Sequence, residues 1–382
     1  MKKTVKTIAA VLSAVMMLLA LCSCKNTSYI CTVDGVEQPS GPYAFYAHYT
    51  RDKYQAQLAA YGQADFAAAL VSNADESGTK LYSYINEETR SSYLSHLIVN
   101  LKFNEFGLKL TEEQETAIDE AVKANWVDSY GEAKFTDVCR TLGLSASEFE
   151  EMVSVSFKYE SIMDYLFGEG GQYEITEDEL HNKFDENYAR FRYIAVSKVN
   201  TETKENLTTD ELIAKKALID AAYSRALAGE DFGALMEEYS EDYIKITDDM
   251  SDEDKAKYEA SNAVSRDQGL VTDKDGIFDY NYYYYYGYTI DSNIVNKVFT
   301  MADGEIAMVE LSSSFWIVEK LDKNEDPMYY EAKRDLIYNS ISSPIVAEEF
   351  AKWEDSYAIV FNDSTVNKYD PRKIEPLFYS AE

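Results

Sequence analysis

The stretch Ala228-Gly-Glu-Asp-Phe232, with Glu238-Tyr-Ser-Glu-Asp242 shortly after it, lies at the centre of a mixed part of the chain. It separates a helix predicted over residues 208–228 from a shorter helix predicted over residues 231–239. Strand-like runs lie on both sides of this helix pair, at residues 191–196, 306–310 and 315–321. The stretch is therefore predicted to sit inside a β-α-β block.

Helical patterns flank this block on both sides. After a strand-like run at residues 29–33, apolar residues recur at helical spacing from Pro42 to Asn187, and a second helical pattern covers residues 329–357. The fold class that this order predicts is α+β, with a compact insert carrying a small antiparallel sheet inside an all-helical unit. The two parts of that helical unit must meet in space.

Local signals mark where some of these helices begin. Thr111 is followed by glutamine three residues later, which predicts a capping box. Ser145 repeats the signal with Glu148, although Ser147 is an equally good N-cap. The helix that begins there is predicted to run to Phe167.

The N-terminus predicts a bacterial lipoprotein signal. Basic residues open the chain, an uncharged run follows from Thr7, and the run ends in Leu21-Cys22-Ser23-Cys24. Cleavage after Ser23 would leave Cys24 to carry a lipid. A transmembrane anchor is the alternative, but the run is shorter than the roughly 20 apolar residues that a membrane crossing needs.

The amino-acid composition limits the classes of function that this chain can have. A net charge of −32 repels the phosphates of nucleic acid, so we expect no nucleic-acid partner. Apolar residues make up 46% of the chain, which is typical of a folded protein. The length favours two domains. Outside the signal, only Cys31 and Cys139 remain, either as one disulfide or, as their apolar surroundings favour, as two buried thiols.

Several segments, taken in order, carry a family resemblance. They are Thr32-Val-Asp-Gly-Val36, Leu142-Gly-Leu-Ser-Ala-Ser-Glu-Phe149, Ile175-Thr-Glu-Asp-Glu-Leu180, the two opening motifs, and Phe299-Thr-Met-Ala-Asp-Gly-Glu-Ile306. In this order they resemble the PrsA/SurA class of extracytoplasmic foldases. That class has a discontinuous helical chaperone domain that carries a parvulin-type peptidyl-prolyl isomerase domain.

The resemblance implies a domain plan and a cellular place. Residues 1–24 are the signal peptide, 25–187 the first part of the helical foldase domain, 188–323 the parvulin-like domain, and 324–382 the helices that complete the foldase domain. The mature protein is expected on the extracytoplasmic face of the cell membrane, held by the lipid on Cys24.

The resemblance also assigns site residues. Parvulins act around two facing histidines, an Asp or Cys, and a Thr or Ser. Here Tyr193 and Trp316 stand where the histidines belong, and Leu311 stands where the hydroxyl residue belongs, although Ser312 to Ser314 lie close by. Only Asp242 matches its family position. The implied substrate-binding residues are Phe299, Tyr283, Tyr285 and Tyr286.

Three other sequence patterns have both a functional and a structural interpretation. The tyrosine run at residues 280–288 is either an aromatic platform for polypeptide or a low-complexity loop. His48, His96 and His181 are too far apart in sequence for a metal motif, and packing roles are favoured. Asp273-Lys-Asp-Gly276 is read as a turn, since Val271 occupies the first ligand position of a calcium loop. No metal or cofactor is predicted.

The sequence therefore predicts a foldase whose partners are unfolded or translocating secreted polypeptides. The helical domain would cradle clients with tyrosines such as Tyr43, Tyr46, Tyr82, Tyr84 and Tyr93. The parvulin-like domain is expected to have weak or no activity, which leaves open whether the chain is an enzyme. The alternatives are an active prolyl isomerase and a non-catalytic ligand-binding or structural surface lipoprotein. A homodimer is also left open.

Overall fold

A computed structural model describes residues 28–200, 203, 205–279 and 289–378 of the chain. The chain divides into two compact units. One combines the residues up to Glu174 with those from Pro344 onward, and the other is Ile175–Ser343. The predicted α+β class, with small antiparallel sheets, is confirmed. The predicted domain types and their boundaries stay predictions.

The first unit is mainly helical. Its strands and helices, in chain order, are β1 Tyr29–Val33, β2 Val36–Pro39, α1 Gly41–Ala60, α2 Phe66–Leu70, α3 Leu81–Glu105, α4 Glu112–Val122, α5 Glu132–Leu142, α6 Ala146–Val153 and α7 Val155–Phe167. Its C-terminal part adds β8 Ile359–Phe361 and α14 Asp363–Val366. Strand β1 lies between β2 and β8 and is antiparallel to both. Among the described residues, no helix has both the length and the apolar character needed to cross a membrane.

The predicted helix starts are present, with one correction. Thr111 and Ser145 both form complete capping boxes, so Ser145 and not Ser147 is the N-cap of α6. The single helix predicted from there to Phe167 is wrong, because it breaks into α6 and α7 at Ser154. The Ser154 hydroxyl donates to the Glu151 carbonyl at 2.6 Å, a side-chain bond that competes with the helical backbone pattern.

Two of the tyrosines suggested for a client cradle belong to the core instead. Tyr43 and Tyr93 are each 2% exposed, and their rings pack edge to face with centroids 5.4 Å apart. The suggestion for these two residues is therefore wrong: they fill the space between α1, α3 and the small sheet. Cys31 lies in the same cluster and Cys139 in another; both side chains are buried and no disulfide joins them. Burial raises the pKa of the Cys31 thiol.

The second unit is built around a five-stranded sheet. Its elements are α8 Glu177–Asn187, β3 Tyr188–Ser197, α9 Thr209–Leu227, α10 Phe232–Tyr239, α11 Asp252–Ala263, β4 Leu270–Asp273, β5 Phe278–Asp279, α12 Ser292–Thr300, β6 Ile306–Glu310 and β7 Ser314–Leu321. Helix α13, Met328–Asp355, begins in this unit and contains Pro344. The strand order is β5-β4-β3-β7-β6, and every neighbouring pair is antiparallel.

Each face of this sheet has its own apolar core. Because side chains alternate along a strand, Ile194 and Ile317 point to the face covered by α9 and α10. Phe191 and Val318 point to the other face, where Val298 of α12 packs on them. The second face continues past the helix to Tyr193 and Trp316.

Arg190, on the central strand β3, links several segments of the second unit. The residue is 2% exposed, and its Nε donates to the Gln268 carbonyl at 2.6 Å. Its Nη1 donates to the Asp322 carbonyl at 2.8 Å and to a Glu325 carboxylate oxygen at 2.7 Å. The guanidinium carbon lies 4.2 Å from the centroid of the Tyr329 ring. One side chain therefore joins β3 to the helical turn before β4, to the loop after β7 and to the start of α13.

Candidate functional site

Two aromatic side chains form the centre of the candidate site. In the pairing of β3 with β7, Tyr193 lies opposite Val318 and Ala195 lies opposite Trp316. Tyr193 and Trp316 are therefore diagonal neighbours on one face of the sheet. Their rings stack, with centroids 4.2 Å apart and planes inclined by 27°, and both side chains are half-buried.

Apolar side chains extend this surface. Phe299 from α12, Leu311 from the end of β6 and Ile290 pack against the same core cluster, and all three are partly exposed. The structure thus brings four of the predicted positions together: Tyr193, Trp316, Leu311 and Phe299. Ile290 was missed, because an isolated isoleucine beside the tyrosine run carries no distinct signal.

The chain that follows α10 brings Asp242 to this surface. The Glu241 N–H donates to the Ala195 carbonyl at 2.9 Å, and the Ala195 N–H donates to the Ser240 hydroxyl at 3.1 Å. These bonds place the segment beside the second half of β3. Asp242 is then close enough for its carboxylate to accept a hydrogen bond from the Tyr193 hydroxyl. Ser240 was not singled out from the sequence, although it lies inside the quoted motif.

The pKa of the Asp242 carboxyl is raised above its ordinary value. The residue as a whole is exposed, but protein atoms crowd its carboxyl group. This loss of hydration raises the pKa, the Glu241 charge raises it further, and the bond from Tyr193 lowers it. The net direction is upward, so burial outweighs the hydrogen bond.

This arrangement supports binding better than acid–base chemistry. No histidine occurs between Phe191 and Leu321 in the sequence. The Trp316 Nε1–H donates to the Ser314 hydroxyl at 2.9 Å, so this serine is held by the neighbouring ring. Within the part of the chain that the structure describes, no group of three or more His, Cys, Asp or Glu side chains could hold a metal ion.

Some predicted site residues lie outside the described residues. These are Cys24, the lipidation site, and Tyr283, Tyr285 and Tyr286 of the tyrosine run. The structure therefore places none of them. Asp273 does form the predicted turn, because its carboxylate accepts the N–H groups of Asp275 and Ile277, each at 2.9 Å.

The first unit has a groove of its own. It encloses about 510 Å³ and is lined by apolar and aromatic side chains that include Tyr46, Val99, Tyr159 and Phe350. His96 lies in its wall, where burial lowers its pKa to about 4. The Asn100 amide donates to its Nε2 at 3.2 Å and its Nδ1 meets the Tyr46 hydroxyl at 3.3 Å, which suits a neutral ring in a packing role.

The raised pKa of the Asp242 carboxyl predicts that thermal stability depends on pH. A carboxyl with a raised pKa disfavours the folded state once the pH exceeds that pKa, and this penalty is absent below the pKa of the unfolded chain. Asp242→Asn keeps an oxygen that can accept from Tyr193. We expect it to raise the thermal unfolding midpoint slightly near neutral pH, and the difference from the parent chain should vanish near about pH 3. A lower midpoint for the variant at neutral pH would show that the charged hydrogen bond outweighs burial.

Comparisons with known proteins give structural neighbours only. No family model and no curated protein matches the sequence. Among solved structures, the chain is similar to the peptidylprolyl isomerase PrsA from Bacillus cereus, with 19% identity over 78% of this chain and 98% of that one, and a TM-score of 0.32. It is also similar to the foldase protein PrsA from Lactococcus lactis, with 14% identity over 91% of this chain and 100% of that one, and a TM-score of 0.32. These neighbours carry the family name that the sequence resemblance gave.

Proposed function

We propose that the chain is a membrane-anchored extracytoplasmic foldase that holds extended segments of unfolded secreted proteins. In this proposal the first unit is the chaperone domain and the second is a parvulin-like domain with weak or no isomerase activity. The observation that carries it is the stacked, half-exposed pair of Tyr193 and Trp316 on an otherwise apolar sheet face.

The aromatic surface suits prolines and large apolar side chains. Flat rings that are already stacked lose little freedom when a client side chain packs on them, and a ring–ring contact contributes about 0.5–1.5 kcal/mol beyond area burial. Phe299 and Leu311 border the pair and enlarge the apolar contact. An extended segment could lie across this face with one side chain over the ring pair.

The same residues argue against efficient isomerisation. Rotation about a prolyl amide crosses a barrier of about 18–20 kcal/mol, and catalysis needs polar groups that favour the twisted amide. The two positions that hold histidines in parvulins carry aromatic rings here. The Asp242 carboxylate lies beside the Tyr193 hydroxyl and competes with a substrate for its proton.

The groove in the first unit supplies a second apolar surface for clients. Its wall includes Tyr46, one of the tyrosines suggested for a cradle from the sequence. Binding of unfolded chains requires exposed apolar surface in a concave shape and no catalytic group. The lipid proposed at Cys24 would keep both surfaces beside the membrane where secreted chains emerge, which raises their effective concentration.

A paired assay on the chain without residues 1–24 tests this proposal. We expect it to suppress aggregation of several unrelated unfolded proteins and to accelerate proline-limited refolding little or not at all. Trp316→Ala should weaken client binding by about tenfold, the loss of one interface anchor. The matched control is Tyr223→Ala, which removes a partly buried tyrosine of α9 that packs on the core at the opposite face of the same sheet.

The possible outcomes distinguish the proposed function from its alternatives. Strong acceleration of refolding that Asp242→Ala abolishes would establish the alternative of a working isomerase. If a folded chain neither suppressed aggregation nor accelerated refolding, the result would contradict the foldase proposal and favour a ligand-binding or structural lipoprotein. Equal losses for Trp316→Ala and Tyr223→Ala would remove the stacked pair as the client site.

A further inference from the structure

The last described residues of the chain pack in a cluster of rings formed by two residues of α1 and one residue that follows α4. The Phe378 ring lies 5.5 Å from the Phe45 ring, 6.3 Å from the Tyr49 ring and 5.4 Å from the Trp126 ring, measured between centroids. We call these three side chains the aromatic box. Residues 375–378, here called the tail, belong to no helix or strand.

Polar groups of α1 hold the tail by its backbone. The N–H groups of Leu377 and Phe378 both donate to Oδ2 of Asp52, each at 2.7 Å. The Glu375 carbonyl accepts from Nδ1 of His48 at 3.0 Å. Asp52 is 4% exposed, and its other oxygen accepts from Arg51 at 2.7 Å. A carboxylate this deeply buried requires donors, and the tail supplies two of them.

These contacts have the character of peptide recognition. Asp52 and His48 bind main-chain groups, which any residue except proline can present in the N–H positions. The aromatic box contributes the selective part, a place for one ring. Binding of a short segment through its backbone groups, with one side chain in a pocket, is a recurring mode of peptide capture.

The chain just before the tail has contacts of its own. Arg372 is held separately, with its guanidinium carbon 3.7 Å from the centroid of the Tyr82 ring and its side chain bonded to Asp370. Ile374 packs against the cluster around β1. Glu375, Leu377 and Phe378, by contrast, are held by His48, Asp52 and the aromatic box.

We propose that Asp52, His48 and the aromatic box form a peptide-binding site that the tail occupies in cis. Its ligand class is a short, bent polypeptide segment with an aromatic residue after a large aliphatic one, as in Leu377-Phe378. The tail acts as a tethered competitor, because a short linker gives it an effective concentration of about millimolar. A client must therefore displace it. This site lies in the first unit and is independent of the proposed role of Tyr193 and Trp316.

The test uses a fluorescent peptide with the sequence of residues 372–382 and measures its anisotropy. A chain that ends at Ile374 should bind the peptide. The full chain should bind it at least about tenfold more weakly, because only the fraction with a displaced tail is competent. The same peptide with Phe378→Ala should bind the shortened chain at least about tenfold more weakly. Tyr165→Ala, at an exposed tyrosine that stacks on Phe106, should leave binding unchanged.

The outcomes separate a displaceable tail from a fixed part of the core. If the shortened chain is folded by circular dichroism but does not bind the peptide, or binds the alanine peptide equally well, the proposal is overturned. If the shortened chain does not fold, the full chain with Phe378→Ala decides the question. Binding of the peptide to this variant above the level of the parent chain supports the proposal, and equal binding overturns it. Trp316→Ala should not alter any of these results.

Discussion

Replacing Phe149 with alanine is expected to lower the free energy of unfolding of the first unit by about 3–5 kcal/mol. Phe149 is fully buried and its ring meets the rings of Phe45, Trp126 and Phe135 edge to face, with centroids 5.8, 5.0 and 5.2 Å apart. Truncation leaves a cavity that three stiff rings cannot easily collapse to fill. Denaturant unfolding followed by tryptophan fluorescence measures the loss.

A second phenylalanine of the same unit serves as the control. Phe350 is only partly buried at the rim of the groove, so Phe350→Ala should cost less. If the two substitutions cost the same, Phe149 does not anchor the core as described. The comparison also bears on the tail, because Phe45 and Trp126 contact both Phe149 and Phe378.

Arg190→Met is expected to destabilise the second unit by about 3 kcal/mol. The substitution keeps an apolar stem but removes a guanidinium that is 2% exposed and donates to the Gln268 and Asp322 carbonyls, and each hydrogen bond that involves a charged group contributes about 1.5–3 kcal/mol. The contact with the Tyr329 ring is lost as well. Thermal or denaturant unfolding, with circular dichroism as the signal, checks the loss.

The matched control is another arginine of the same unit. Arg225 binds Glu230 and Glu238 at the surface, where water competes with both ion pairs. Arg225→Met should therefore change the unfolding midpoint very little. A similar change for both variants would mean that Arg190 contributes no more than a surface ion pair.

Sequence reasoning succeeded where local chemistry decides the structure. The capping boxes at Thr111 and Ser145 depend on residues three positions apart, and both are present. Strands β3, β6 and β7 of the second unit follow runs of β-branched and aromatic residues, which fit a sheet with both faces covered, whereas β4 and β5 were not predicted. The break at Ser154 was missed, because a hydroxyl bonded to its own helix leaves no mark in the apolar pattern.

The candidate site was only partly predictable. The family resemblance pointed to Tyr193, Trp316 and Asp242, but the stacking of the two rings and the bond from Tyr193 to Asp242 depend on strand register and on the path after α10. The contact of the tail with Asp52 joins residues 325 positions apart. Pairings this distant are set by the whole fold, and a single sequence carries no local signal for them.

The pairing of β1 with β8 has a consequence for the order of events during folding. Cys31 lies opposite Phe361, so about 330 residues of chain separate β1 from the strand that completes its sheet. The second unit is contiguous in sequence and needs no pairing this distant. Because the entropy cost of closing a long loop must be met before its contacts form, the second unit can fold first. Until β8 pairs with β1, the first unit presents an unpaired strand edge at which chains can aggregate.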